Sequence, residues 1–229
     1  MKLSILMPVF NEEPTVDEAV RQVLATELPV ETELVLVDDG STDRTGEILR
    51  AADWPDDKVR IYHHERNQGK GAAVRTALEH AEGDIAAILD ADLEYAPTDL
   101  APLLEPLLEG ETNVAFGVRA FNGYTSHSFL YVLGNRGVTL LANVLFNVYI
   151  GDLMTCHKVI RTDVFRDLPL CEKGFGIEPE ITARLLQRGE RIYEVPVSYR
   201  ARSTEQGKKL TWVDGLRVVR TLTRIRFGG

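Results

Sequence analysis

The sequence predicts an α/β fold with a mostly parallel central sheet flanked by helices. Two observations carry that expectation. Apolar runs of strand length alternate with segments of helical periodicity through the first 120 residues, the pattern of parallel strands joined by crossover helices. Acids then recur where strands end: Glu12 and Glu13 after the first, Asp38 and Asp39 after the second, Asp90 and Asp92 after the fourth. In an open sheet of this kind, that edge is where ligands bind.

The elements follow in order. Leu3, Ile5, Leu6, Met7 and Val9 form a first strand that stops at Pro8 and Asn11. A helix opens near Pro14 and sets Val16, Ala19, Val20, Val23 and Leu24 at helical spacing. Glu33 to Val37 is the second strand. Ser41 or Thr42 caps the helix after it, which turns Thr45, Ile48 and Leu49 inward. Val59 to Tyr62 is a short third strand, and Asn67-Gln68-Gly69-Lys70-Gly71 breaks the chain before a helix with Ala73, Val74, Ala77 and Leu78. Ile85 to Leu89 is apolar throughout, so it reads as a strand buried on both faces that runs on to Asp90. Asp90 and Asp92 stand at i and i+2, and both can serve one site only if the backbone leaves extended geometry near Ala91. A helix near Thr98 to Leu108 and a strand from Asn113 to Val118 complete this half.

Length and charge narrow the function. A chain of 229 residues can bury a full core. The formal charge is -9, unevenly spread: Ser198 to Gly229 holds eight Lys or Arg against Glu205 and Asp214. An acidic body argues against a nucleic-acid partner, while a basic tail can meet phosphate. Cys156 and Cys171 sit in no metal-ligand spacing, and a reducing cytoplasmic compartment is expected. No apolar run approaches the length of a transmembrane helix. The first strand is followed by Pro8-Val9-Phe10-Asn11-Glu12 rather than a dinucleotide glycine fingerprint. Gly69-Lys70-Gly71 lacks the leading glycine and the following Ser or Thr of a P-loop. What remains is one acidic crevice suited to a hard divalent cation, and through it to a diphosphate. Lys70 reads equally as an anion contact or as an exposed lysine at a helix start.

Four motifs, in order and spacing, carry a resemblance: Pro8-Val9-Phe10-Asn11-Glu12, Asp38-Asp39-Gly40-Ser41-Thr42-Asp43, Asn67-Gln68-Gly69-Lys70-Gly71 and Asp90-Ala91-Asp92. Together they resemble the family 2 glycosyltransferases, most closely those that load a hexose onto dolichyl or polyprenyl phosphate. The resemblance implies a single GT-A domain over residues 1–229, with a nucleotide-sugar half at 1–120 and an acceptor half at 121–229. It implies inverting transfer of mannose or glucose from a GDP- or UDP-sugar to a polyprenyl phosphate, with Mg2+ or Mn2+. Pro8, Phe10, Glu12, Asp38, Asp39, Lys70, Asp90, Ala91 and Asp92 would bind the nucleotide sugar. Asp90 and Asp92, with Glu94, would hold the metal. Asp92, Asp152 and Arg119 would serve catalysis, Asp152 either as a base or by steadying Arg119 or Lys158. Two other readings stay open: transfer to a soluble or protein-linked hydroxyl, and a non-catalytic nucleotide-sugar binder or membrane tether.

The second half is expected to receive the acceptor. Residues 121–127 read as a mobile link, and 129–146 as one interrupted helix or two short ones, for core packing or lipid contact. Gly174 to Glu180 opens a further helix, on which Glu178 would contact acceptor or sugar. Ile192 to Val197 is a last edge strand. Arg200, Arg202, Lys208 and Lys209 form a cationic group suited to a prenyl phosphate. Beyond them Leu210, Val213, Leu216, Val219 and Leu222 recur at three-residue spacing beside Arg217, Arg220 and Arg224. Such a helix either lies on an anionic membrane face, directly or through a membrane partner subunit, or packs on the sheet.

Overall fold

Alternation along the strands explains the layers. In β1 (Lys2–Val9), Leu3, Ile5, Met7 and Val9 join one apolar cluster while Leu6 joins another on the opposite face. β2 (Glu31–Asp38) divides the same way, Leu34 and Leu36 against Val35 and Val37. β4 (Ile85–Ile88) does so too, Ile85 and Ala87 against Ala86 and Ile88. Strands that are apolar on both sides need helices on both sides. A computed structural model, which describes residues 1–119, 129–200 and 212–228, supplies them.

The helices are α1 (Val16–Ala25), α2 (Thr45–Ala51), α3 (Lys70–His80), α4 (Leu100–Leu108), α5 (Phe129–Phe146), α6 (Thr162–Arg166), α7 (Ile177–Arg188) and α8 (Trp212–Phe227). The remaining strands are β3 (Val59–His63), β5 (Val114–Arg119), β6 (Lys158–Arg161) and β7 (Ile192–Val197). They form one seven-stranded sheet in the order β3-β2-β1-β4-β6-β5-β7. Every pairing is parallel except those of β6, which runs antiparallel to both β4 and β5. The expected α/β architecture is therefore present, as a mixed sheet of GT-A type flanked by helices.

Several elements differ from expectation. β6 and α6 are additional. Residues 129–146 form one continuous helix despite Gly134 and Gly137. Each glycine costs about 1 kcal/mol in a helix interior, which the packing of Val138, Leu141, Ala142, Leu145 and Phe146 into a third cluster offsets. α8 faces that cluster with Val218, Leu222 and Ile225, whereas Leu216 and Val219 are exposed. The three-residue stripe is therefore not one face of α8, and its inward residues are spent on protein packing. Leu210, Val213 and the link at 121–127 lie outside the side chains described. Among the described residues, no helix is long and apolar enough to cross a membrane.

Candidate active site

The C-terminal ends of β1, β2 and β4 open onto a cavity of about 340 Å3, within the range of small-molecule sites. β4 stops at Ile88 and a turn begins at Ala91, where the backbone was expected to leave extended geometry. Leu93 follows in the left-handed region, at φ 60°, and Asp92 Oδ1 accepts the Glu94 N–H at 3.0 Å. This tight turn lets Asp90, Asp92 and Glu94 all line the cavity. Ala91 does not line it, because its methyl is buried in the core.

The β2 acids divide. Asp39 lines the cavity, and its carboxylate accepts the N–H groups of Gln68 (2.9 Å) and Gly69 (2.7 Å) and meets His64 Nδ1 at 2.6 Å. Asp38 lies beneath, taken up by the Ser41 N–H and by His63. Asp39 thus clamps the turn that launches α3. Gly69 stands at φ 97°, where a Cβ would overlap the Lys173 carbonyl, so glycine is required. Pro8, Phe10 and Glu12 line the same cavity.

Lys70, first residue of α3, is not an exposed lysine: its side chain is 9% accessible. Its Nζ lies 2.7 Å from Asp90 Oδ2, 2.9 Å from Glu178 Oε1 and 3.1 Å from Cys156 Sγ. Burial disfavours the ammonium, but the surrounding charges, Asp90 foremost, outweigh it and hold the lysine well above its ordinary pKa. Glu178, in the first turn of α7, is 2% exposed and also meets the wholly buried Lys158 at 3.1 Å. Burial raises the Glu178 pKa while the two lysines lower it, and the net is a depressed value.

Arg119 ends β5 and lines the cavity, with its guanidinium gripped by Asp152 through Nε at 2.6 Å and Nη2 at 2.8 Å. Tyr199 packs on the guanidinium at 5.0 Å and donates to Glu94 Oε2 at 2.7 Å. Asp152 itself is buried, 1% exposed, and does not line the cavity. It reaches the site through Arg119. Burial raises its pKa, but the Arg119 hydrogen bonds and charge pull it below the ordinary range, so it is ionised and weakly basic. Arg200 is exposed, its N–H given to the Glu94 carbonyl. Arg202, Lys208 and Lys209 lie outside the described residues.

Sequence reasoning missed Tyr95, Tyr199, Phe175 and Cys156, which also line the cavity. The two tyrosines had a signal, an aromatic ring directly after the Asp-rich turn and another directly after the last strand.

Among the described residues the cavity is lined by six carboxylates, on Glu12, Asp39, Asp90, Asp92, Glu94 and Glu178, against the cations Lys70 and Arg119. Among the described residues no three acids, histidines or cysteines converge as a ready-made metal cage. Mg2+ is commonly held through one or two carboxylates with substrate phosphates completing the shell, and Asp90, Asp92 and Glu94 on the cavity wall can supply those carboxylates.

Comparison with known proteins places this sheet and its acidic edge. Residues 4–168 match the glycosyl transferase family 2 model. The chain belongs to that family. It is 37% identical over 111 residues to the undecaprenyl-phosphate 4-deoxy-4-formamido-L-arabinose transferase of Edwardsiella ictaluri, covering 47% of this chain and 34% of that protein. It is 26% identical over 214 residues to the dolichol-phosphate mannosyltransferase of Pyrococcus furiosus, covering 91% and 59%. The chain thus spans from about a third to about three-fifths of these curated relatives. Among solved structures it resembles the glucosyl-3-phosphoglycerate synthase of Mycobacterium tuberculosis, in complex with Mn2+, UDP and phosphoglyceric acid. The TM-score is 0.77 at 20% identity, over 99% of this chain and 78% of that one. A complex of the same enzyme with Mg2+ and UDP gives a TM-score of 0.74 at 22% identity, over 99% and 79%.

This comparison corrects the expected acceptor. The enzyme on which nearly the whole chain superposes is seen with phosphoglyceric acid, a soluble molecule, whereas the prenyl-phosphate names belong to relatives matched over a smaller part of their length. Polyprenyl or dolichyl phosphate is therefore set aside as acceptor, and with it the dolichyl-phosphate mannosyltransferase assignment. With the prenyl acceptor goes the membrane surface expected as its partner; the inward residues of α5 and α8 pack on each other, while Leu140, Val144 and Leu216 are exposed.

Proposed function

We propose that the protein is a metal-dependent glycosyltransferase that moves a hexose from a UDP-sugar to a hydroxyl of a small, soluble, anionic acceptor. The observation that carries this reading is the balance of six carboxylates and two cations that line the cavity among the described residues. A diphosphate enters such a cavity only with a cation. Likeness to a fold seen with UDP, a divalent metal and phosphoglyceric acid supports the donor and the acceptor class.

In this reading Pro8, Phe10, Glu12 and Asp39 receive the nucleoside, with Asp38 bracing the same loop. Asp92 holds the metal, with Asp90 and Glu94 beside it. A bound Mg2+ or Mn2+ supplies positive charge at the diphosphate, where negative charge grows as the sugar leaves. Arg119 faces that same charge, kept in orientation by Asp152 and the Tyr199 ring. Glu178 accepts hydroxyls of sugar or acceptor, since Lys70 and Lys158 keep it ionised. Arg200, Arg202, Lys208 and Lys209 draw the acceptor's anionic group. Residues 1–120 thus form the donor half and residues 121–229 the acceptor half, although one sheet spans both.

The test is transfer from radiolabelled UDP-glucose and GDP-mannose, with Mn2+, to phosphoglyceric acid and, separately, to undecaprenyl phosphate in detergent. Product from UDP-glucose and the soluble acid is expected. Product from the prenyl phosphate alone overturns the reading.

A further inference from the structure

Asp39 meets the nucleoside in the reading above, and its carboxylate is almost fully committed before any base arrives. A carboxylate offers about four acceptor positions, two on each oxygen. On Asp39, Oδ1 accepts the Gln68 N–H at 2.9 Å and the His64 Nδ1–H at 2.6 Å, and Oδ2 accepts the Gly69 N–H at 2.7 Å. Among the described residues, Oδ1 is therefore full and Oδ2 has one position left. Two of the three donors are backbone groups, set by the turn before α3. The third depends on the side chain at position 64. That ring cannot turn its proton elsewhere. Its Nε2 lies 3.0 Å from the Thr76 hydroxyl on α3, so Nδ1 carries the proton to Asp39 while Nε2 accepts from Thr76. With the two side chains only 10% and 3% exposed, little water can take the place of the imidazole.

Bases differ in what they present to a carboxylate. Guanine offers two adjacent donors, N1–H and the 2-amino group, and needs one acceptor on each oxygen. Uracil offers a single ring donor, N3–H, between two carbonyls. One remaining position suits the single donor. Beside a filled Oδ1 the guanine 2-amino group would be buried without a partner, and an unpaired polar group of that kind is what gives a site its discrimination.

We infer that His64 sets the base specificity of the site: by filling Asp39 Oδ1 it leaves room for one ring N–H and excludes the two-donor edge of guanine. The inference rests on the UDP-sugar reading above and deepens it, by assigning the group that selects the base. His64 does not line the cavity. It acts through Asp39, as a positioning residue.

Calorimetric titration with UDP, GDP and IDP in the presence of Mn2+ tests this without turnover. IDP is the informative probe, since hypoxanthine keeps the size and the N1–H of guanine but lacks the 2-amino group. The parent should bind UDP at least about tenfold tighter than GDP, and IDP at least about fivefold tighter than GDP. His64→Phe, which fills the same space without a donor, should reverse the order of IDP and GDP. His64→Asn, whose amide can still donate to Oδ1, should keep the parent's order. Circular dichroism confirms that each variant is folded, and His64→Leu replaces His64→Phe if the latter is not. A parent that binds GDP as tightly as IDP, or a folded variant without a donor that keeps the parent's order, overturns the inference, while a preference for UDP leaves the donor reading standing. If the parent binds neither purine, gain of GDP by the folded variant without a donor supports the inference and its absence overturns it. A parent that prefers GDP to UDP sinks the donor reading and the inference together.

Discussion

Asp152 grips Arg119 at two points, Oδ2 on Nε at 2.6 Å and Oδ1 on Nη2 at 2.8 Å, with both side chains almost wholly buried. Asn135 adds a third hydrogen bond to Asp152, at 3.0 Å. Removing one member of such a pair strands the other charge. Asp152→Ala should cost about 3–5 kcal/mol in urea unfolding and lower turnover together with stability. The pH dependence has a definite sign. The folded pKa of Asp152 is depressed, so its contribution is complete above the unfolded value of about 3.9 and is lost as pH falls through the folded value. The acid limb of the unfolding curve should flatten in the variant.

His157 should act on the same limb, over a different window. Its ring is wholly buried, stacked on Tyr95 at 5.0 Å, with no hydrogen-bond partner for either nitrogen among the described residues. Burial lowers its pKa to about 3. The unfolded chain takes up a proton near pH 6.5 that the folded one refuses, so stability falls as pH drops from about 6.5 towards the folded value. The penalty reaches about 2 kcal/mol by pH 5. His157→Phe keeps the stack and should remove that loss, as read from thermal unfolding at pH 5 and pH 7. Equal pH dependence in both proteins would show that the imidazole is charged when folded.

Asp92→Asn should preserve the fold, since the turn needs only a hydrogen-bond acceptor for the Glu94 N–H. It should nonetheless lose metal-supported UDP binding and reduce turnover by at least about a hundredfold, the scale of one electrostatic contact in the transition state. Calorimetry with UDP in the presence and absence of Mn2+ separates the two effects. Unchanged metal dependence would remove Asp92 from the metal site.

Two leucines on α8 test which face is inside. Leu222→Ala should cost about 2–5 kcal/mol, because Leu222 is wholly buried. Leu216, 60% exposed, should tolerate alanine within about 0.5 kcal/mol. Chemical denaturation of the two variants makes the comparison.

The strands and the acidic edge were legible because period two, apolar runs and strand-end carboxylates are local signals. Pro8, Phe10, Glu12, Asp39, Lys70, Asp90, Asp92, Glu94, Arg119 and Glu178 are indeed brought to one cavity. What each of them touches was not legible, since the pairing of Lys70 with Glu178 joins residues far apart in sequence. β6 was missed because it has four residues and begins with Lys158, a lysine that reads as surface until Glu178 and the Phe116 ring enclose it. The α8 stripe misled for a geometric reason. A three-residue step falls short of a full turn, so Leu216 lies about 120° around the helix from Leu222. The acceptor was misread because the four motifs describe the donor side, and the acceptor's chemistry is written in none of them.

The antiparallel β6 has a consequence for how the chain assembles. β5 pairs with β6 on one side and β7 on the other, and both follow it in sequence. A growing polypeptide that has just completed Arg119 therefore holds β1 to β4, which already pair among themselves, and a β5 with no rung of the ladder to join. The sheet closes only when β6 slots between β4 and β5, so β5 should join the ladder after the strands that precede it. Pulse-labelled hydrogen exchange during refolding should find the amides of β1, β2 and β4 protected before those of β5.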